Sequence, residues 1–502
     1  MDFSLNQNID TYGKDASCIP QVTRRPPNLS GEGVIIAVLD SGIDYFLPEF
    51  RDAQGRTRIL GIWDQTAIAD ADKGWKPPEG YTEGVLYTRA QIEEALESEN
   101  EQIGRRLVPT VDTSGHGTAV AAVAAGSRIG VAPKAELLIV KLGNPLPESF
   151  PRTTQLMRGV NYAVNLGVML NKPVVINVSF GNTYGDHRGE SLLERFLDNA
   201  SEIGRTSIVV GSGNEGTSNG HTAGIAKETK LVELAVSAYE TGLSVQLWTK
   251  YNDRFRLRII SPGGQEMTLE MNQIEVVRRT LEQTQLLCYV GEPLPYAVNQ
   301  ELFIDFLPQD SYITEGVWRF ELIPVSVVTG EYRFYLPSYA VRNAGTGFFL
   351  PSPQATLTIP STSRRVITVG AYDARLQSYA DFSGRGYVYY YQDGRSGGGV
   401  EDAFGIAFEK PDLVAPGVDI AVPRSGGGYE QVSGTSFATP YVSGSAALLM
   451  EYGIVKGNDV YMYGEKLKAF LQTGARKLPA QEIVPSPMYG WGALCVEESL
   501  PR

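Results

Sequence analysis

Residues 33–44 read GVIIAVLDSGID. From Val34 to Leu39 the run is apolar without a break and of strand length. A strand with one wet face alternates, whereas a continuous run suits a parallel strand buried on both faces. Similar runs follow at AELLIVKLG (135–143), PVVINVSFG (173–181) and TSIVVGSGN (206–214). Helix-like stretches lie between them, TAVAAVAAG at 118–126 and TTQLMRGVNYAVNLGVML at 153–170. Strands alternating with helices predict an α/β domain on a mostly parallel sheet, with helices on both faces.

From Leu231 to Asn343 the texture changes. Val245 and Leu247, then Phe255, Leu257 and Ile259, alternate with polar residues, as do Trp318, Phe320 and Leu322, and Tyr332, Phe334 and Leu336. A period of two with a Pro262-Gly263-Gly264 turn predicts antiparallel strands in a β-sandwich. The α/β texture returns at RRVITVGAYD (364–373) and closes with FATPYVSGSAALLMEYG (437–453). The expected organisation is a polar, proline-containing surface arm (1–29), a catalytic domain in two parts (30–230 and 345–502), and a β-rich insertion (231–344).

The 502 residues carry a net charge of -13 and are 42% hydrophobic and 20% charged. That composition is ordinary for a soluble globular chain, and its acidity argues against a nucleic-acid partner, which needs clustered Lys and Arg. Cys18, Cys288 and Cys495 are odd in number and far apart, so neither a disulfide framework nor a zinc-type spacing is expected. No run of about 18 apolar residues predicts a membrane span. The N-terminal residues lack the basic and apolar regions of a secretory signal, so synthesis in the cytoplasm is expected.

Four short motifs carry chemistry. Asp40 ends the first strand, where α/β sheets place their ligands, although Asp-Ser-Gly alone is more often a turn or helix cap than a catalytic acid. His116, one of three histidines, stands between two glycines at the head of a small-residue helix. His187, in the polar loop GDHRGE, reads as a solvated side chain, and His221 lies close enough to the Asn214 loop to line a cleft. Ser436, in SGTSFATP (433–440), precedes an apolar helix. It reads as a helix cap or as a nucleophile whose backbone N–H faces a developing oxyanion. Pro440 is expected in the first turn, where its missing N–H costs little. Serine needs a histidine to take its proton, and the imidazolium needs a carboxylate beside it. The chain offers these in the order Asp, His, Ser. GSGNEG (211–216) also matches a dinucleotide-binding pattern, but it lies deep in the sheet with no apolar helix after it. Asn214 as an oxyanion donor fits better.

Together DSGID, GHGT, GSGN and GTSFATP resemble the subtilase family of serine peptidases, over roughly residues 30–230 and 345–502. GVAPKAELLIVKLG, KPDLVAPG and GWGALCVEESL are similar in form to that family. The resemblance implies a subtilisin-like fold and a serine endopeptidase working through an acyl-enzyme, with no cofactor. Asp40, His116 and Ser436 would form its charge relay, with Asn214 at the oxyanion. It also implies that Ser179, Phe180 and Gly181, with Gly211, Ser212 and Gly213, wall the cleft and bind an extended peptide. The short link from Gly126 to Gly130 omits the loop that holds calcium in many subtilisins, so no metal is expected there. The insertion resembles the jelly-roll of clostridial Csp-type germination peptidases, which process the zymogen of a spore-cortex-lytic enzyme. That likeness implies a protein substrate and a spore-associated setting. Subtilases usually carry an inhibitory prodomain, and the segment before residue 30 is too short to be one. Removal by cleavage and supply by another chain both remain open. Some Csp-type relatives lack triad residues and are silent, which makes a binding-only pseudoenzyme the alternative.

Overall fold

The apolar run becomes strand β1 (Ile35–Asp40), buried along its whole length. It lies at the centre of a sheet that continues with β2 (Ile59–Asp64), β3 (Val85–Thr88), β4 (Glu136–Lys141), β5 (Val174–Val178) and β6 (Thr206–Gly211). After the insertion come β7 (Ile367–Asp373), β8 (Ser378–Tyr379) and β9 (Leu413–Pro416). The computed structural model describes residues 8–143, 152–271, 273–293, 295, 297–386, 389–390, 396–397 and 410–501. Within them the strand order is β8-β7-β6-β5-β1-β4-β2-β3, with β9 also beside β7. Only the edge pairs β2–β3 and β7–β8 are antiparallel.

Successive side chains of a strand point to opposite faces. Ile35, Ala37 and Leu39 accordingly join the core under helices Thr153–Leu170 and Leu192–Ala200. Ile36 and Val38 join the opposite core, under helices His116–Ala125 and Thr435–Met450. These last two helices are apolar on all sides and almost wholly buried, as expected of helices enclosed by a large core. Their N-termini carry the histidine and the serine. Among the described residues, no helix is long and apolar enough to cross a membrane.

Two expectations about the chain ends are overturned. The described part of the 1–29 arm, residues 8–29, is not simply on the surface: Cys18, Ile19, Val22 and Leu29 are buried after helix Asn8–Ala16. Prolines and polar neighbours hid an apolar spacing of three to four residues, which is what a helical turn buries. Cysteine also contributes to the fold, because Cys18 and Cys495 form a disulfide 477 residues apart in sequence. Val496 N–H donates to the Ser17 carbonyl beside it. Sequence separation says nothing about spatial distance, so the pair was invisible from spacing.

The β-rich block forms two antiparallel sheets of five and six strands. One apolar core, including Leu234, Leu257 and Phe320 from one sheet and Leu247, Phe306 and Phe334 from the other, fills the space between them. All the alternating residues named from sequence, Val245 to Leu336, are buried there. The sheets begin earlier and end later than 231–344. Strand His221–Ile225 already pairs with Glu331–Tyr335, and Gly347–Phe348 pairs with Lys230–Val236. Neither flanking strand is long enough to show a period of two. Phe320 is fully buried, with ring centroids 5.4 Å from Phe334 and 6.4 Å from Phe306. Phe320→Ala is expected to destabilise this unit by about 3–5 kcal/mol, read as a lower chemical-denaturation midpoint.

Candidate active site

Asp40 is the last residue of β1, and His116 is the first residue of its helix. Gly115 takes a left-handed φ of 74° to turn into that helix. At Gly117 a Cβ would stand 2.3 Å from the Gly42 carbonyl oxygen, so glycine lets the helix start abut the end of β1. The result is a 2.7 Å contact between His116 Nδ1 and Asp40 Oδ1. Ser41 N–H donates to the same oxygen at 2.7 Å.

Sequence reading passed over the residue that joins these two segments. Buried Asp112 accepts from Ser41 Oγ (2.8 Å), Ser114 Oγ and Gly115 N–H on one oxygen, and from Thr118 N–H and Oγ1 on the other. Ser41 Oγ in turn accepts from Gly117 N–H at 2.9 Å. An acid just ahead of a helix start is a capping signal that was available in DTSGHGT.

Ser436 is the second residue of its helix, where backbone N–H groups have no intrahelical acceptor. Pro440 proves to be the sixth helical residue, beyond the first turn. Its missing N–H is the one that would have bonded the Ser436 carbonyl. Ser179 Oγ donates to that carbonyl instead, at 3.0 Å. Reciprocally, Ser436 Oγ donates to the Ser179 carbonyl at 3.2 Å. The serine hydroxyl thus rests on the expected cleft wall. The His116 ring lies beside the next residue, 5.5 Å between centroids from Phe437. A buried relay, Ser443 Oγ to Asn177 and Asn177 Nδ2 to Ser179 Oγ, holds the wall in place.

Asn214 sits in the loop after β6. Its Oδ1 accepts from Thr435 N–H and Thr435 Oγ1, both at 3.0 Å. A backbone N–H can bond only the amide oxygen, so the network orients Nδ2 as the remaining donor. Of the expected cleft walls, Ser179, Phe180, Gly181, Gly211 and Gly213 are partly exposed. Gly181 and Gly213 both face the Thr358 side chain. Gly211 faces Thr435 and Thr439 of the Ser436 helix. Ser212 is fully buried, with its N–H donated to Val369 and its carbonyl accepting from Thr358. Fully buried, it presents no surface to a peptide, which corrects its expected role.

The sequence model of the subtilase family matches residues 31–290 and 340–492. The chain belongs to the subtilase family. The structure of the Clostridium perfringens CspB protease is similar over 97% of this chain and 96% of that one, with a TM-score of 0.85 and 34% identity. The PI-type proteinase of Lactococcus lactis subsp. cremoris is 28% identical over 204 residues, which are 39% of this chain and 10% of that much longer protein. Alkaline protease 1 of Aspergillus oryzae is 30% identical over 147 residues, 29% of this chain and 34% of that protein. The chain therefore spans only a small part of the length of the lactococcal proteinases it matches.

The three histidines of this subtilase have opposite electrostatics. The Asp40 carboxylate raises the His116 pKa above its usual 6.5 against an opposing effect of burial, with a smaller contribution from Asp112. His187 is not solvated: it is buried, with its ring nitrogens on the Leu357 and Thr183 carbonyls. His221 is equally buried, and the two rings stack on opposite sides of Tyr335, at 4.0 and 4.4 Å. Burial pushes their pKa values down to about 4 and about 3. The signs follow from linkage. The His116 pair stabilises the fold fully below about pH 6.5 and loses that contribution as pH rises through the raised value. The buried pair withdraws stability as pH falls from about 6.5 towards 4 and 3. Histidine-ring NMR is expected to show only His116 titrating between pH 5 and 8, with a midpoint above 6.5. A second ring titrating near 6.5 in the folded protein would contradict this.

Proposed function

We propose that the chain is a serine endopeptidase. The 2.7 Å His116–Asp40 contact, with Ser436 on the adjoining helix start, carries the reading. The relay requires Ser436 to turn its hydroxyl from the Ser179 carbonyl to the imidazole, a change of rotamer between staggered wells. Ser436 Oγ then bonds the substrate carbonyl carbon while its proton passes to His116 Nε2. Asp40 holds the ring and stabilises the imidazolium. Asn214 Nδ2 and the Ser436 N–H donate to the oxyanion. The C–N bond breaks as His116 returns the proton to the leaving amine, giving the acyl-enzyme, and water reverses the sequence. The substrate we propose is a protein zymogen of the spore-cortex-lytic kind, cut during germination, on the likeness to the CspB protease.

One observation favours a silent binding protein instead: the Ser436 hydroxyl is bonded to Ser179. Incubating such a zymogen with the wild type and with Ser436→Ala separates the readings. Processing by the wild type alone supports the peptidase. Equal processing, or none by either, supports the silent binder.

A further inference from the structure

The loop that carries Asn214 is also the road into the insertion, since β6 ends at Gly211 and the first insertion strand starts at His221. On the catalytic side, Gly216 N–H donates to the Phe382 carbonyl and Gly384 N–H to the Gly213 carbonyl. On the other side the insertion's last turns grip it. Leu336 N–H donates to the Gly220 carbonyl at 2.8 Å and Phe348 N–H to the Asn219 carbonyl at 2.9 Å. The buried Arg342 guanidinium bridges the Pro337 and Ser218 carbonyls.

The contact nearest Asn214 is made by its neighbour. Glu215 is only 5% exposed. Its carboxylate accepts from Ser338 Oγ at 2.6 Å and from Tyr339 N–H at 3.4 Å, both just past the last strand of the six-stranded sheet. A buried carboxylate without donors is costly, so Glu215 goes where the insertion's donors are. Consecutive Cα atoms are about 3.8 Å apart, so Asn214 is held with it. Thr435 fixes the Asn214 amide from the nucleophile side, and Ser338 fixes its backbone from the insertion side.

We propose that the inserted sheets position the oxyanion donor, with Ser338 acting on Asn214 through Glu215. The inference rests on the reading of Asn214 as oxyanion donor. Ser338 and Glu215 are positioning residues that touch no substrate.

The test is a double-mutant cycle on peptide hydrolysis. Ser338→Ala is expected to lower kcat about ten-fold or more with KM unchanged, because small misplacements of a catalytic donor have large effects. In an Asn214→Ala background the same change is expected to add nothing, since its route to the chemistry is gone. Glu215→Ala reports the contact from the other partner, should Ser338→Ala fail to fold. Glu215→Gln keeps an acceptor for Ser338 and is expected to restore most of the turnover. Wild-type kcat in a folded Ser338→Ala protein overturns the inference. So does an equal loss in both backgrounds, which marks a structural effect alone. If Asn214→Ala is itself fully active, the oxyanion reading fails first and takes the inference with it.

Discussion

Ser436→Ala is expected to lower kcat for peptide hydrolysis by about 10⁶-fold while leaving KM nearly unchanged, and His116→Ala by a similar amount. The double variant should be no worse than either single one. The reason lies in the chemistry. A serine hydroxyl is a weak nucleophile until a base accepts its proton, so either deletion removes the same step. Asp40→Ala is expected to cost less, because the imidazole still accepts a proton but loses the partner that aligns it 2.7 Å away. Steady-state kinetics on a chromogenic peptide measures all four variants. Multiplying losses in the double variant would mean the two side chains act separately, contrary to the proposed relay.

Asn214→Ala is expected to lower kcat by about 10²–10³-fold, again with little change in KM. The amide donates to charge that exists only in the tetrahedral intermediate, so its loss spares ground-state binding. Its orientation supports the size of the effect. Both acceptor bonds of Oδ1 come from Thr435, one residue before the nucleophile, so Nδ2 is held in register with Ser436. Asn214→Asp should be at least as damaging, since it replaces a donor with an acceptor bearing negative charge near the oxyanion. A loss confined to KM would assign Asn214 to substrate binding instead.

The parallel sheet and the motifs were legible because each rests on a local signal. Continuous apolar runs marked β1, β4, β5 and β6, and period-two runs marked the long insertion strands. The features missed depend on contacts between distant segments. Nothing near Cys18 announces Cys495, and nothing in GDHRGE announces the Tyr335 ring that buries His187. Pro440 was judged by local helix rules. Its consequence, a Ser436 carbonyl left for Ser179, needed the fold to bring two segments 257 residues apart together. Ser212 was expected in the cleft because the family resemblance carried over Gly211, Ser212 and Gly213 as one stretch. Its bonds to Val369 and Thr358 show that this part of the wall is already occupied.

In the proposed mechanism Ser436 is a hydroxyl activated by His116 in the folded protein. The direct measurement is covalent labelling with a fluorophosphonate, followed by peptide mass spectrometry. One label per chain is expected, on the peptide containing Ser436, at a rate that rises with pH as His116 loses its proton and vanishes in His116→Ala. An intact, folded protein that stays unlabelled while another subtilisin reacts under the same conditions would contradict it.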